Sequence, residues 1–427
     1  MNQAITYRIY FFSLLLVVIT LPFFTHLNSI CIALFGLSWL LSNHPREKWK
    51  NLKANPWVWL FIAYYLVQVY GWLISEESRE ALFILEKKGG MALLPIFLAS
   101  GPRLMQKQVQ QILLCFTSVV ALGALTMVGL AGLEYLEQGD KGVFFYHPLA
   151  YQINAHAIYY SLYIAFALFI WKGWRKKVPI WLYGSVGLFL FGVLLLLSSK
   201  NILILFLLIW VLSSALDLLN KKSLWKKPST WISIVVIVAV MLALGGGLRQ
   251  RFQNISGDSL AVLKLEKLRY DTPLNGLSLR LLIWDLARQQ SEIHGPWYVG
   301  VGTGDAQQYL DSAYVERGLY TGNVEFGDTG YLGYNLHNQY FQDLYSTGLL
   351  GLFALLTLLG AVFWLSKGHF NPAFNYLAWM ILFLAITESL FERHTGSVFF
   401  VLFFSLMLST KSQKSMESGP ETDSQGS

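Results

Sequence analysis

Long apolar runs separated by short polar stretches make up most of the chain. A run of roughly 20 apolar residues is long enough to cross a lipid bilayer as a helix. On this criterion we predict about twelve spanning helices, at residues 8–24, 26–42, 56–75, 89–101, 108–131, 151–171, 178–198, 200–219, 229–248, 337–365, 372–387 and 389–409. The predicted fold class is an all-α polytopic membrane protein.

Composition and charge agree with this class. Hydrophobic residues make up 55% of the chain and charged residues 13%, whereas a soluble globular chain has about 25% charged residues. The net charge of +7 does not indicate a nucleic-acid partner, because the basic residues cluster in alternate short loops between apolar runs. Cytoplasmic loops of membrane proteins carry such clusters. We therefore predict that both termini lie in the cytoplasm.

One long polar segment, residues 249–336, separates the first nine predicted spans from the last three. An odd number of spans before it places this segment on the side opposite the N-terminus. The stretch from Ser278 to Gln290 is typical of a helix. The predicted regions are transmembrane helices 1–9 in residues 1–248, a mainly helical periplasmic loop in 249–336, transmembrane helices 10–12 in 337–410, and a disordered cytoplasmic tail in 411–427.

Two residues at predicted helix ends are the first candidates for chemistry. His337 opens the tenth span at the outer interface, where a histidine can accept a proton near neutral pH. The alternative is an interfacial histidine that only caps the helix. Lys200 lies at the join of two apolar helices, where a charge is costly and commonly functional. The alternative for Lys200 is snorkelling to the interface.

Two arginines share one face of the predicted loop helix. Arg280, Trp284 and Arg288 are spaced by four residues, which places them along the same face. Guanidinium groups match phosphate oxygens in a bidentate way, so the pair predicts an electropositive strip. The alternative, which we favour for Arg288, is an ion pair with Asp285 or Glu292.

Three further polar residues lie near helix ends on the same predicted side. Glu388 falls between the last two spans and could pair with an arginine or orient His337, although a turn with a local ion pair is the commoner explanation. His147 and His156 flank the start of the sixth span and could bind sugar hydroxyls, although an interfacial polar belt explains them equally well. The shared location of all these candidates indicates a single outward-facing site.

The glycine pattern of residues 300–305, Gly-Val-Gly-Thr-Gly-Asp, is similar to a nucleotide fingerprint. That fingerprint requires a preceding strand and a βαβ unit, neither of which is predicted here. We expect a tight turn that returns the arginine helix towards the membrane. The sequence contains no HExxH, CxxC or acidic metal cluster, so we expect no metal and no cofactor.

The chain resembles the O-antigen ligase family, within the wider group that includes O-antigen polymerases. The overall plan of spans and one large loop carries the resemblance, together with several short motifs. These are Ser198-Ser199-Lys200, Leu279-Arg280 with Trp284, the glycine turn at 300–305, Leu336-His337-Asn338-Gln339 followed by Gly348, and Thr387-Glu388-Ser389.

The resemblance implies a function. The family joins a polysaccharide carried on undecaprenyl diphosphate to a sugar of the lipid A–core oligosaccharide, on the periplasmic face of the bacterial inner membrane, without metal or nucleotide. It implies that Arg280 binds the diphosphate and that His337 is the essential histidine near the acceptor. The family usually has arginine at the position of Lys200, and lysine keeps the charge but lacks the planar fork.

The resulting hypothesis is an inverting glycosyl transfer. His337 is the general base, and Arg280 and Lys200, with help from Arg288, hold the diphosphate. Three alternatives stay open: an O-antigen polymerase, a protein O-oligosaccharyltransferase, and a transporter of an anionic or lipid-linked solute. A transporter more often shows paired repeats, and we find none.

Overall fold

The computed structural model describes residues 3–197, 199–220, six positions between 263 and 274, 275–323 and 328–417. These residues are almost entirely helical, and their one β feature is an isolated bridge between Asn323 and Asp328. The helices are α1 (Gln3–Thr20), α2 (Thr25–Leu41), α3 (Pro45–Ala54), α4 (Val58–Leu73), α5 (Ser78–Lys88), α6 (Gly90–Ser100), α7 (Gln106–Gln138), α8 (Tyr146–Tyr151), α9 (Ala157–Lys172), α10 (Ile180–Leu196), α11 (Lys200–Asn220), α12 (Gly276–His294), α13 (Ala306–Arg317), α14 (Gln339–Ser366), α15 (Ala373–Leu384) and α16 (His394–Glu417).

Every predicted span falls on one of these helices, except 229–248, which lies outside the described residues. Among the described residues, three helices are long and apolar enough to cross a membrane: α1, α7 and α14. A fourth span is possible if α2 and α3, bent by 110°, count as one. Several shorter apolar helices accompany them. The described part of the chain is thus that of an all-helical membrane protein, and the number of spans and the periplasmic loop stay predictions.

The ends of several helices differ from the predicted ends. Helix α7 continues to Gln138 and α16 to Glu417, beyond the apolar parts of their sequences. The predicted disordered tail is therefore helical up to Glu417, and residues 418–427 lie outside the described residues. Two short helices with polar faces, α3 and α5, lie between the apolar ones. Proline at the first position of α3 fits its N-terminus, where no helical hydrogen bond is lost.

Aromatic side chains fill the contact between α7, α9 and α16. The Phe116 ring lies 4.7 Å from Phe403 and 5.7 Å from Phe166, measured between centroids. All three rings are buried, and tilted or edge-on arrangements of this kind stabilise a core beyond the burial of area. Nearer the start of α16, the Tyr163 hydroxyl of α9 donates to the Thr395 carbonyl at 2.9 Å, so the first half of α9 lies beside the start of α16.

Helices α9, α10 and α11 form an up-down-up arrangement. Trp171 near the end of α9 donates a hydrogen bond to the Tyr183 carbonyl near the start of α10 at 3.0 Å. Lys172 at the end of α9 donates to Ser213 Oγ in α11 at 3.2 Å. Since the ends of α9 and α11 meet, their starts lie at the opposite end. Lys200 therefore lies at the same end of the bundle as His156.

The glycine turn at 300–305 packs into a break in α14 at Gly348. In an unbroken helix the Leu349 N–H would donate to the Tyr345 carbonyl. Here it donates to the Tyr298 carbonyl at 3.1 Å instead, and the Tyr345 carbonyl accepts from the Val301 N–H at 2.9 Å. A Cβ on Gly348 would lie 2.3 Å from the Tyr298 carbonyl oxygen, and its φ of 68° is left-handed. Both facts require glycine. The expected tight turn is present, and it holds the end of α12 against a membrane helix.

Candidate active site

His337 lies in the short connection that leads into α14. Its backbone is left-handed, with φ of 47°, and its N–H donates to Asn335 Oδ1 at 3.0 Å. Asn338 caps α14 by accepting from the Phe341 N–H at 3.0 Å, and its own N–H donates to Ser389 Oγ. An asparagine at this position satisfies an otherwise free helix N–H. The cap therefore holds the histidine in a strained and specific position.

Glu388 lies between Arg280 and His337. Its Oε1 is 3.5 Å from Arg280 Nη2, and its Oε2 is 3.7 Å from His337 Nδ1. The carboxylate is buried, whereas the two basic side chains are about one quarter exposed. The fold thus joins residues from three distant parts of the sequence. We name this group the Arg280–Glu388–His337 trio.

Helix α12 brings Arg280 to the trio. Asn275 begins the helix by accepting from the Leu277 and Ser278 N–H groups at 2.9 Å each. One turn after Arg280, the Trp284 indole N–H donates to the Leu336 carbonyl at 2.8 Å. This bond connects α12 to the residue that precedes His337. Trp284 therefore has a positioning contact in the site.

Arg280 is only partly satisfied by its protein partners. Nη2 also donates to the Thr387 carbonyl at 3.2 Å, and Nη1 donates to the Gly276 carbonyl at 3.4 Å. Its Nε is buried without a hydrogen-bond partner among the described residues. A guanidinium with long hydrogen bonds and an unused donor is able to bind an anion.

The two histidines before α9 lie together beside the trio. The His147 and His156 rings are 4.8 Å apart. The pKa of both imidazoles is lowered mainly by burial and secondly by the charge of Arg393, and that of His156 falls to about 3. Charges on Glu388 and His337 also influence them. The role of these two histidines at the site stays a prediction.

Lys200 and Arg288 stand apart from the trio. Within the described part of the chain, no hydrogen bond or ion pair joins Lys200 to the trio, although both lie at the same end of the bundle. Arg288 is 60% exposed and pairs with Asp285 at 3.1 Å and with Glu292 at 2.5 Å. These are the ion pairs that the sequence analysis favours for Arg288. The roles of both residues in holding a diphosphate stay predictions.

A second polar group lies deeper in the bundle, and the sequence analysis did not identify it. The Asp343 carboxylate accepts from the Tyr64 hydroxyl at 2.9 Å and from Gln339 Nε2 at 3.2 Å. Lys88 Nζ lies 2.7 Å from Glu392 Oε1 and 3.0 Å from Gln68 Oε1. We name this group the support network: Tyr64, Gln68, Lys88, Gln339, Asp343 and Glu392. A charged residue inside an apolar run, such as Asp343, is the signal that points to it.

The support network is connected to the trio through the backbone. The Phe391 N–H donates to Gln339 Oε1 at 2.7 Å, and the Gln339 N–H donates to the Ala385 carbonyl at 2.8 Å. Gln339 follows His337 by two residues, and the segment 385–391 contains Glu388. The network therefore fixes the two loops that carry His337 and Glu388.

The chemistry available at the trio is that of a cation, a carboxylate and an imidazole in a row. Such a row can bind an anionic group at one end and accept a proton at the other. Among the described residues there is no group of three or more side chains suited to hold a metal ion.

Residues 184–356 match the family model for O-antigen ligase. This finding confirms the resemblance drawn from the short motifs. The matched region contains Lys200, Arg280, Trp284, Arg288 and His337, and it ends before Glu388. Among curated proteins, none matches the chain significantly.

Proposed function

From a match to the O-antigen ligase family over residues 184–356, we propose that this protein is an inverting membrane glycosyltransferase of the ligase type. Its donor is a glycan on undecaprenyl diphosphate, and its acceptor is the lipid A–core oligosaccharide. The observation that carries the proposal is the placement of Glu388 between Arg280 and His337. A cation for the leaving group and a base for the acceptor are then neighbours.

Arg280 and Lys200 bind the diphosphate in this proposal. The bond between the anomeric carbon and the diphosphate oxygen breaks, and the diphosphate leaves with the electron pair. The developing negative charge is stabilised by cations that are already in place. The Arg280 Nε, buried and without a partner in the described residues, supplies a further donor. Arg288 contributes less, because acidic neighbours already engage it.

His337 takes the proton from the acceptor hydroxyl as its oxygen forms the new bond to the anomeric carbon. Glu388 lies 3.7 Å from Nδ1 and stabilises the imidazolium that results, while Nε2 faces the hydroxyl. A carboxylate behind a catalytic imidazole acts in this way in other enzymes. No cofactor takes part in the proposed reaction.

The proposed location is the bacterial inner membrane, with both termini in the cytoplasm and the trio on the periplasmic face. The basic clusters in alternate loops support this orientation. A lipid-linked donor reaches such a site through the bilayer, and its tail stays among the apolar helices. The partners are thus the lipid-linked glycan, the core acceptor and the bilayer.

The test is the lipopolysaccharide banding pattern of a strain from which this gene is deleted. We expect deletion to remove the long-chain ladder while the polymer accumulates on its lipid carrier. The wild type restores the ladder, and His337→Ala does not. His294→Ala serves as the matched control, because His294 is an exposed histidine at the far end of α12. Immunoblots of membranes establish that the variants are present in equal amounts.

Other outcomes point to other functions. A ladder restored by His337→Ala contradicts the general-base role. Core bearing a single repeat unit after deletion indicates an O-antigen polymerase instead. An unchanged banding pattern contradicts both the ligase and the polymerase functions. It favours protein O-glycosylation or transport of an anionic or lipid-linked solute.

A further inference from the structure

The segment from Phe145 to His156 forms a second wall beside the trio. It contains α8 and the turn that leads into α9. Gln152 bonds to Glu134 at the end of α7, which fixes the segment from outside. Tyr159, one turn after His156, packs against Gly396, where a Cβ would lie 2.6 Å from its ring. Gly396 also lies against the Leu390 carbonyl, two residues after Glu388, so the start of α9, which follows the wall, lies beside the loop that carries Glu388.

Backbone strain in the described residues is concentrated around this wall and the trio. Three residues other than glycine have a positive φ: Tyr146 at 55°, Asn154 at 56° and His337 at 47°. Two belong to the wall and the third is the proposed base. Such conformations cost roughly 1 kcal/mol or more each, and they cluster where a structure positions functional groups.

The wall combines aromatic faces with unpaired imidazoles. Tyr151 is 61% exposed and stacks on His147, with centroids 5.4 Å apart, and Tyr146 is 37% exposed. The Nδ1 atoms of His147 and His156 are buried without a hydrogen-bond partner in the described residues. Exposed aromatic faces and unused imidazole nitrogens are the two kinds of group that match the C–H and O–H faces of a sugar.

The imidazoles are neutral at neutral pH, because burial and the nearby Arg393 keep the pKa of both below the usual value. A neutral imidazole carries one donor and one acceptor. A sugar hydroxyl is also both donor and acceptor. A charged imidazole would instead be a donor only and would repel the proton that His337 must take.

We propose that His147 and His156, with the ring of Tyr151, bind the acceptor sugar of the core oligosaccharide and orient its hydroxyl towards His337. The inference rests on the proposed function for the identity of the sugar. His156 is close enough to His337 for their charges to interact, and His337 takes the acceptor proton. Arg280 lies on the donor side, next to Glu388. The wall thus completes the acceptor half of the site.

The experiment uses the full-length protein in lipid nanodiscs with two readouts. The first is transfer, measured as separate KM values for the lipid-linked donor and for core lipopolysaccharide from a ligase-deficient strain. The second is equilibrium binding of the delipidated core oligosaccharide by calorimetry, which requires no transfer. The variants are His156→Phe and His147→Phe, which keep a ring but lose the hydrogen bonds, and His156→Asn, which keeps a donor and an acceptor.

His294→Phe is the matched control, because His294 also stacks on a tyrosine, Tyr309, at 3.7 Å, but lies far from the trio. We expect each wall Phe variant to raise the acceptor KM and weaken core binding by about tenfold, the size of one lost hydrogen bond in a partly buried site. The donor KM should change less than about twofold. His156→Asn should recover part of the loss.

The outcomes separate this inference from the proposed function. Normal transfer with unchanged acceptor KM and core binding in both Phe variants overturns the inference and leaves the function intact. A raised donor KM with unchanged acceptor KM also overturns it. A third outcome is that the protein binds core in a way that depends on these histidines and yet transfers no glycan. That result supports the inference that the wall binds core and contradicts the proposed reaction. An equal loss of core binding in His156→Asn and His156→Phe, together with lowered thermal stability, also counts against the inference.

Discussion

Two polar groups lie close together around the first turns of α14, and they differ in how fully their members are satisfied. In the support network, Asp343 is buried and accepts from Tyr64, Gln68 and Gln339. In the trio, the distances from Glu388 to its two basic partners are 3.5 and 3.7 Å, which is long for a hydrogen bond. One group is complete within the protein, and the other is open to a ligand.

The difference indicates that one group positions the backbone and the other binds substrate. A buried polar group that is fully satisfied fixes the backbone around it, and a partly satisfied one is available for substrate. Gln339 belongs to the network and is two residues from His337, so the rigid group sets the position of the open one. Preorganised sites commonly depend on such a supporting layer. The predictions below test whether the two groups are separable.

The largest effect is expected from Lys88→Met. The variant removes the partner of Glu392, with which Lys88 forms a largely buried ion pair at 2.7 Å, and leaves a largely buried charge without compensation. Breaking such a pair typically costs about 3–5 kcal/mol of stability. We expect a large drop in the thermal midpoint of the purified protein, with activity lost in proportion to unfolding. Thermal denaturation followed by size-exclusion chromatography measures it.

The control is Lys87→Met, one residue earlier and on the exposed side of α5. It should leave the thermal midpoint unchanged. The double variant Lys88→Met with Glu392→Gln should recover a good part of the stability, because it removes both charges. Normal stability of Lys88→Met would contradict the supporting role of the network. Activity loss in a fully folded variant would show that Lys88 acts in catalysis rather than in support.

A smaller effect, on activity rather than stability, is expected from Arg280→Lys. Lysine keeps the charge, but it lacks the planar fork that reaches both Glu388 and the diphosphate. Losing one charge-assisted hydrogen bond corresponds to roughly a 10- to 100-fold loss of kcat/KM. Transfer assays at varied donor concentration measure it, with the thermal midpoint as a check. Wild-type kcat/KM in this variant would mean that Arg280 does not hold the leaving group.

How much of this could be predicted from the sequence depends on whether an interaction is local. The helices follow from apolar runs, because a run of about 20 apolar residues has few stable alternatives. Helix ends are less predictable: α7 runs to Gln138 rather than to 131, since its polar final turns carry no hydropathy signal. Gly300 packs against Gly348, although the two glycines are far apart in sequence. The residues next to each glycine do not indicate this contact.

The candidate site was predictable in part for the same reason. Places at helix ends point to His337 and Glu388, the face of the loop helix points to Arg280, and the family motifs contain all three. The fold brings Arg280 and His337 each within 4 Å of Glu388. Asp343 is not predicted, because a single charge inside an apolar run does not indicate which residues it contacts. Its partners come from α4 and α14, and only the packing of those helices brings them together.

The smallest effect is expected from Arg288→Ala, and it tests how far the donor site extends along α12. Arg288 is 60% exposed and pairs with Asp285 and Glu292, and exposed pairs of this kind contribute little to stability. If the open group ends at Arg280, donor KM and kcat should change by less than about twofold. Arg288→Lys, which keeps the charge, is the matched control and should be indistinguishable from the wild type.

A tenfold rise in donor KM for Arg288→Ala but not for Arg288→Lys would extend the diphosphate site two turns along the helix. The proposed boundary between the open trio and its surroundings would then be wrong, because a residue already paired within the protein would also bind substrate.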